Sequence, residues 1–220
     1  MRINLKTLSI LLLTAAMLLL SIGISHADTF QLGADQDDTT GWSIFNDWQG
    51  AALYLGYNAN LPDVYIRWTT TIPAKAIIDS AFVTFTSTGN KSGGMTAITI
   101  YALDLAGSPV WQGSGGFNIT NYANKAALDT ISVETGTSVS WTPGTWVSGG
   151  EYDTPSLVTL FQNIVNDVDY NPANPIGLKF YHSASGDQRN AESFDHDPTE
   201  DAVLTVTWSV RSAQVIIIQK

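Results

Sequence analysis

Seven tryptophans and two knots of carboxylates hold most of the chemistry open to this 220-residue chain. Trp42 and Trp48 sit in Thr39-Thr40-Gly41-Trp42-Ser43-Ile44-Phe45-Asn46-Asp47-Trp48-Gln49-Gly50, a polar stretch without strand periodicity. An exposed indole or phenol offers a flat apolar face for the C–H face of a pyranose, while Asp, Asn, Gln and Arg hydrogen-bond its hydroxyls. Trp42 and Trp48 are therefore the candidate sugar platform, and Tyr54, Tyr57 and Tyr65 extend it; the alternative is that both indoles plug their own loop. Trp111, beside Gln112 and a glycine run, is a lesser candidate. Trp68 and Trp208 fall on apolar faces of alternating stretches and read as core, whereas Trp141 and Trp146 flank Pro143-Gly144 and read as packing. Arg189, the one positive group of an acidic region, is either a ligand contact or an ion-pair partner of Glu192 or Asp195.

The carboxylates raise a second possibility. Asp35, Asp37 and Asp38 cluster early in the chain, and Asp195, Asp197, Glu200 and Asp201 cluster late. Hard cations take several carboxylate and carbonyl oxygens from loops, so calcium is the candidate cofactor if the clusters meet. A solvated acidic surface is the competing reading. The order Asp-x-Asp-Asp is not an EF-hand loop, because it has no Gly at its sixth position and no closing Glu. Catalysis is less well served. His182 and His196 sit outside the N-terminal segment, no cysteine exists, and no Gly-x-Ser-x-Gly turn is present. A glycoside-hydrolase pair needs two carboxylates at a defined separation, and no spacing singles one out among 20 acidic residues.

These groups must be placed by a fold, and the N-terminus is read first. Arg2 and Lys6 precede the apolar run Leu8 to Ile24, which ends in Ser25-His26-Ala27. That pattern predicts a secretory signal peptide, residues 1–27, with an uncleaved anchor as the alternative. The remaining residues, 28–220, carry 8 Lys+Arg against 20 Asp+Glu, a net charge of −12. A binder of nucleic-acid phosphates or anionic lipid needs a basic face, so neither partner is expected, nor any membrane after cleavage. Without disulfides, 193 residues must be held by burial, and one domain of that size suffices.

Most of this domain reads as strands. Val64, Ile66 and Trp68 alternate with polar neighbours; Ala81, Val83 and Phe85 oppose Phe82, Thr84 and Thr86. Ile98 and Ile100, then Ile176, Leu178 and Phe180, then Leu204, Val206 and Trp208 repeat the period of two. Turn clusters such as Gly113-Ser114-Gly115-Gly116 separate them. The expected fold is all-β, an antiparallel, jelly-roll-like sandwich. One amphipathic helix at about 155–167 interrupts it, with Thr154 as cap, Pro155 first, and Leu157, Leu160, Phe161, Ile164 and Val165 on one stripe. The uncharged tail 214–219, Gln-Val-Ile-Ile-Ile-Gln, reads as a further strand or an exposed edge.

The order of several stretches resembles a known family. Tyr65-Ile66-Arg67-Trp68 leads to Ile72-Pro73-Ala74-Lys75-Ala76-Ile77-Ile78-Asp79-Ser80-Ala81, then Val139-Ser140-Trp141-Thr142-Pro143-Gly144-Thr145-Trp146 and Thr154-Pro155-Ser156-Leu157. Gly186-Asp187-Gln188-Arg189-Asn190-Ala191-Glu192-Ser193 and Leu204-Thr205-Val206-Thr207-Trp208 close the series. Over about residues 50–209 this resembles the DNRLRE-type, carbohydrate-binding-module-like β-sandwich of secreted bacterial proteins. The resemblance implies a non-catalytic module with polysaccharide affinity, although the signature string that names the family is missing and no enzyme is fused to the chain.

The expected function is thus a secreted or cell-surface binding module that recognises carbohydrate or extracellular matrix through loop aromatics. The alternative is a structural surface or matrix subunit that self-associates through 214–219 by strand addition. A glycan-active hydrolase is the third reading.

Overall fold

A computed structural model describes residues 24–34, 37–41, 46–47, 52–56, 63–95, 97–103, 129, 133, 136–182 and 186–210. Trp42, Trp48, Tyr57, Trp111, Asp35, most of the apolar N-terminal run and the tail 214–219 lie outside the described residues. The architecture is an antiparallel β-sandwich, mostly strand with a helix against it.

One sheet has four strands in the order β1 (Ile24–Phe30), β12 (Val203–Val210), β6 (Ile77–Thr86), β9 (Glu151–Asp153). The other has six, ordered β3 (Asn46–Asp47), β2 (Asp38–Gly41), β5 (Asp63–Trp68), β10 (Ile176–His182), β7 (Ile98–Ala102), β8 (Val139–Trp141). A short pair, β4 (Leu53–Leu55) with β11 (Arg189–Ala191), adds Leu53, Leu55 and Ala191 to the core.

The period of two decides which side chains meet. Val64, Ile66, Trp68, Ile98, Ile100, Leu178 and Phe180 turn inward from the six-stranded sheet, and Ala81, Val83, Phe85, Leu204, Val206 and Trp208 from the four-stranded one. Trp68 is fully buried, and its Nε1 donates to the Ala202 carbonyl at 2.9 Å, so this indole is core with its one polar atom satisfied. Phe85 is the aromatic hub. Phe180 meets it edge-on at 5.3 Å and Trp141 stacks at 5.8 Å, with Trp146 beside it at 6.4 Å. Trp146 in turn stacks on Tyr152 at 4.7 Å. The Pro143-Gly144 tryptophans are thus packing residues, as the sequence suggests.

The helix, α1 (Val158–Asn166), is shorter at its start than expected. Thr154 does not cap it. Its N–H donates to Val83 O at 2.9 Å and its Oγ1 accepts from Val83 N at 3.0 Å; Leu157 N then donates to Ala81 O at 2.8 Å. Residues 154–157 therefore extend the pairing of β9 along β6, and a helix can begin only once that edge is released. The buried stripe Leu160, Phe161, Ile164 and Val165 is as expected. Gln162 bridges helix to strand, accepting from Ile78 N at 3.0 Å and donating to Ala76 O at 2.9 Å. At the far end Lys75, held at φ 63, gives its N–H to Val165 O at 2.8 Å and its ammonium to Asn166 O, covering carbonyls the helix leaves orphaned.

Truncating the hub gives a stability test. Phe85→Ala removes a fully buried ring from between three aromatic neighbours and is expected to cost about 3–5 kcal/mol in urea unfolding.

Candidate functional site

Pairing of the first and last strands brings the two acidic clusters together. β1 lies against β12 along seven residue pairs, so the chain leaves β1 next to the turns that enter β12. Asp38 opens β2 opposite Ile66, on the inward face of the sheet, and is 1% exposed. There its Oδ2 accepts from Phe194 N at 3.1 Å. Burial, and then the charges of Asp195, Asp201 and Asp37, push Asp38 up to about 8, against the pull of that amide. Asp201 is 1% exposed, and neither of its oxygens completes a hydrogen bond. Burial, followed by Asp197 and Asp37, raises it to about 7, with the nearby Leu32 amide opposing. Asp37 is held on two sides, Oδ2 by Gly33 N at 3.0 Å and Oδ1 by the Arg67 guanidinium. Asp197 turns outward to accept from Thr199 N at 2.9 Å and Thr199 Oγ1 at 2.7 Å, which lowers its pKa. Glu200 is exposed beside Glu151, Thr84 and Thr86 along an open cleft.

Asp37, Asp38, Asp195, Asp197 and Asp201 thus share one electrostatic neighbourhood. Among the described residues, however, no three acidic or histidine side chains stand close enough to hold a metal ion. The inner pair relieves its repulsion with protons near neutrality.

Arg189 is the largest surprise among the ligand candidates. It is 1% exposed, and its guanidinium donates to Gly144 O at 2.6 Å, Gln188 O at 3.0 Å and Gly93 O at 2.8 Å, with Asp187 at 3.7 Å. It ties the Gly93 and Gly144 loops to β11, and neither Glu192 nor Asp195 is its ion-pair partner. Glu192 instead pairs with His196 Nδ1. Tyr54 is half-buried in β4, with its N–H on Thr40 Oγ1 at 3.1 Å.

A second surface, of which the sequence singles out only Tyr65, lies on the face of the six-stranded sheet turned away from the core. Thr39, Tyr65, Lys179 and Tyr101 form one cross-strand row, and Tyr181 and Thr99 the next. Tyr65 is buried there. Its hydroxyl donates to Asp129 Oδ1 at 2.7 Å, and burial with the nearby Asp63 and Asp129 charges raises its pKa, so it keeps its proton. Lys179 sits between Asp63, at 3.0 Å, and Asp129, and its ammonium lies 5.4 Å from the centroids of both Tyr65 and Tyr181. Tyr101 and Tyr181 remain half-exposed, their centroids 6.3 Å apart and their planes tilted by 59°. Alternation in β7 and β10 assigns both tyrosines to the outward face, but only the register shows them side by side. His182 ends β10, buried, with neither ring nitrogen hydrogen-bonded; burial lowers its pKa, so it is neutral at pH 7. No helix among the described residues is long and apolar enough to cross a membrane.

The folded pKa values of Asp38 and Asp201, about 8 and about 7, lie above the ordinary 3.8, so the folded state binds these protons more tightly than the unfolded chain. Their stabilisation is complete below pH 3.8, declines as pH rises, and is gone above about 8, with a slope of at most about 1.4 kcal/mol per pH unit per group. Thermal unfolding followed from about pH 5 to about pH 9 should show a falling Tm, and Asp38→Asn should flatten the fall. Arg189→Ala strands three carbonyls, and urea unfolding should register a loss of about 3 kcal/mol or more.

No protein-family model matches the chain, and no curated protein matches it.

Proposed function

We propose that the protein is an exported, non-catalytic β-sandwich module that recognises a neutral polysaccharide through aromatic side chains. The observation that carries this reading is the pair Tyr101 and Tyr181, half-exposed and 6.3 Å apart on the outward face of the six-stranded sheet. Two tilted phenol rings at that spacing cover about the width of a sugar ring, and the sheet holds them without reorganisation cost. A polar group stands beside them: the Lys179 ammonium lies 5.4 Å from the centroid of the Tyr181 ring and offers a donor. Lys179 is neutralised by two carboxylates, and the chain from residue 28 carries net −12, so an uncharged glycan fits better than an acidic one. The resemblance to DNRLRE-type modules points the same way. Trp42 and Trp48 in the β2–β3 region and the segment after it supply a second set of rings for the same ligand class.

Affinity electrophoresis in gels containing neutral polysaccharides, run with calcium and with EDTA, tests the reading. Retardation is expected, and Tyr101→Ala or Tyr181→Ala should weaken it about tenfold, the equivalent of roughly 1.4 kcal/mol of lost stacking, with thermal stability kept. Trp42→Ala and Trp48→Ala measure the share of the loop rings. Migration unchanged by every neutral polysaccharide in both conditions overturns the proposal.

A further inference from the structure

β1 runs across the point where the sequence predicts processing. Ile24, Ser25, His26 and Ala27 pair with Val210, Ser209, Trp208 and Thr207, and Asp28 to Phe30 continue on Val206 to Leu204. His26 stacks on the Trp208 indole with centroids 4.1 Å apart and planes within 10°, and Trp208 Nε1 donates to Asp28 Oδ2 at 3.0 Å. Cleavage after Ala27 keeps the last three pairs of β1 and removes the first four. The opposite side of β12 is already occupied by β6. Thr207 to Val210 would then present an open strand edge, and one face of Trp208 would lose its cover.

We propose that this vacated edge accepts residues 214–219 of a second copy of the chain. The donor has the right length and chemistry: Gln214-Val215-Ile216-Ile217-Ile218-Gln219 is uncharged, β-branched at four consecutive positions, and longer than the four residues it replaces. Alternation puts Val215 and Ile217 on one face and Ile216 and Ile218 on the other. Either register therefore lays β-branched side chains over Trp208 where a histidine had been. The donor from the same chain is poorly placed. Only Arg211-Ser212-Ala213 separates it from β12, and those residues offer no Gly, Asn or Asp for a tight reversal. Strand addition between molecules supplies main-chain hydrogen bonds and side-chain specificity together. Donor and acceptor are different surfaces, so the contact is heterologous and repeats head to tail, into rings or filaments.

The protein as exported from its cell is the material for the test, with its N-terminus sequenced and its sedimentation measured. Expected are an N-terminus at Asp28 and species sedimenting faster than the monomer. Ile216→Lys and Ile217→Lys, one on each face of the donor, should each reduce assembly, and a synthetic 214–219 peptide in excess should shift the wild-type protein to the monomer. Circular dichroism and Tm should be unchanged in both variants. A monomeric wild-type protein overturns the proposal, as does an N-terminus at or before Ile24, or assembly indifferent to both lysines and to the peptide. A lysine variant that is monomeric with a clearly lowered Tm also overturns it, because the strand would then belong to its own sheet.

Discussion

Two-sided pairing of β12 is the constraint from which the rest of the structure follows. With β1 on one side and β6 on the other, the last described strand lies inside its sheet. Its inward residues Leu204, Val206 and Trp208 close the core against the six-stranded sheet, and the turns that lead into it carry Asp195, Asp197 and Asp201. Because β1 is its neighbour, the segment that follows β1 delivers Asp37 and Asp38 to those same turns. Acidic residues more than 150 positions apart in the chain come into one electrostatic neighbourhood by strand order.

That arrangement trades one cost for another. Burying Asp38 opposite Ile66 secures a partner for the Phe194 amide, but desolvation and three neighbouring carboxylates oppose its charge. Raised pKa values at Asp38 and Asp201 answer the conflict with protons. The outward face of the six-stranded sheet uses another solution: Lys179 stands between Asp63 and Asp129, so like charges are separated by an opposite one. The phenol of Tyr65 adds a neutral donor to the same network.

The long strands were legible because each obeys its period: 176–182 and 203–210 are strands as read, and the burial of 81, 83 and 85 follows the predicted face. Short strands such as β4, β9 and β11 have three residues each, too few for any period to register. The start of α1 differs from the sequence reading because Thr154 and Pro155 make a good cap signal locally, and only the tertiary partner Val83 shows that Thr154 is already engaged. The sequence leaves open whether the acidic clusters meet, because only the pairing of β1 with β12 brings them together. Arg189 was harder. Nothing in a sequence tells a buried guanidinium bonded to carbonyls from an exposed one, because its acceptors Gly93 and Gly144 are far from it in the chain and contribute only backbone. The Tyr101–Tyr181 pair needs a register, and register is not written in either strand by itself.

The placement of the basic side chains has a consequence for proteolysis. Arg67, Lys179 and Arg189 all lie within strands, their charges engaged by carboxylates or carbonyls. A protease that cleaves after basic residues must thread an extended segment through its cleft, and a paired strand is not available for that until the sheet opens. Two other basic residues of the described part lie outside the named strands: Lys75, exposed in a turn and in a left-handed conformation just before β6, and Lys91, half-exposed in the loop after it. The first cuts by such a protease in the described part of the chain belong at these loop positions, with Lys75 the more exposed, and cuts at the three strand positions would report on the opening of the sandwich as a whole.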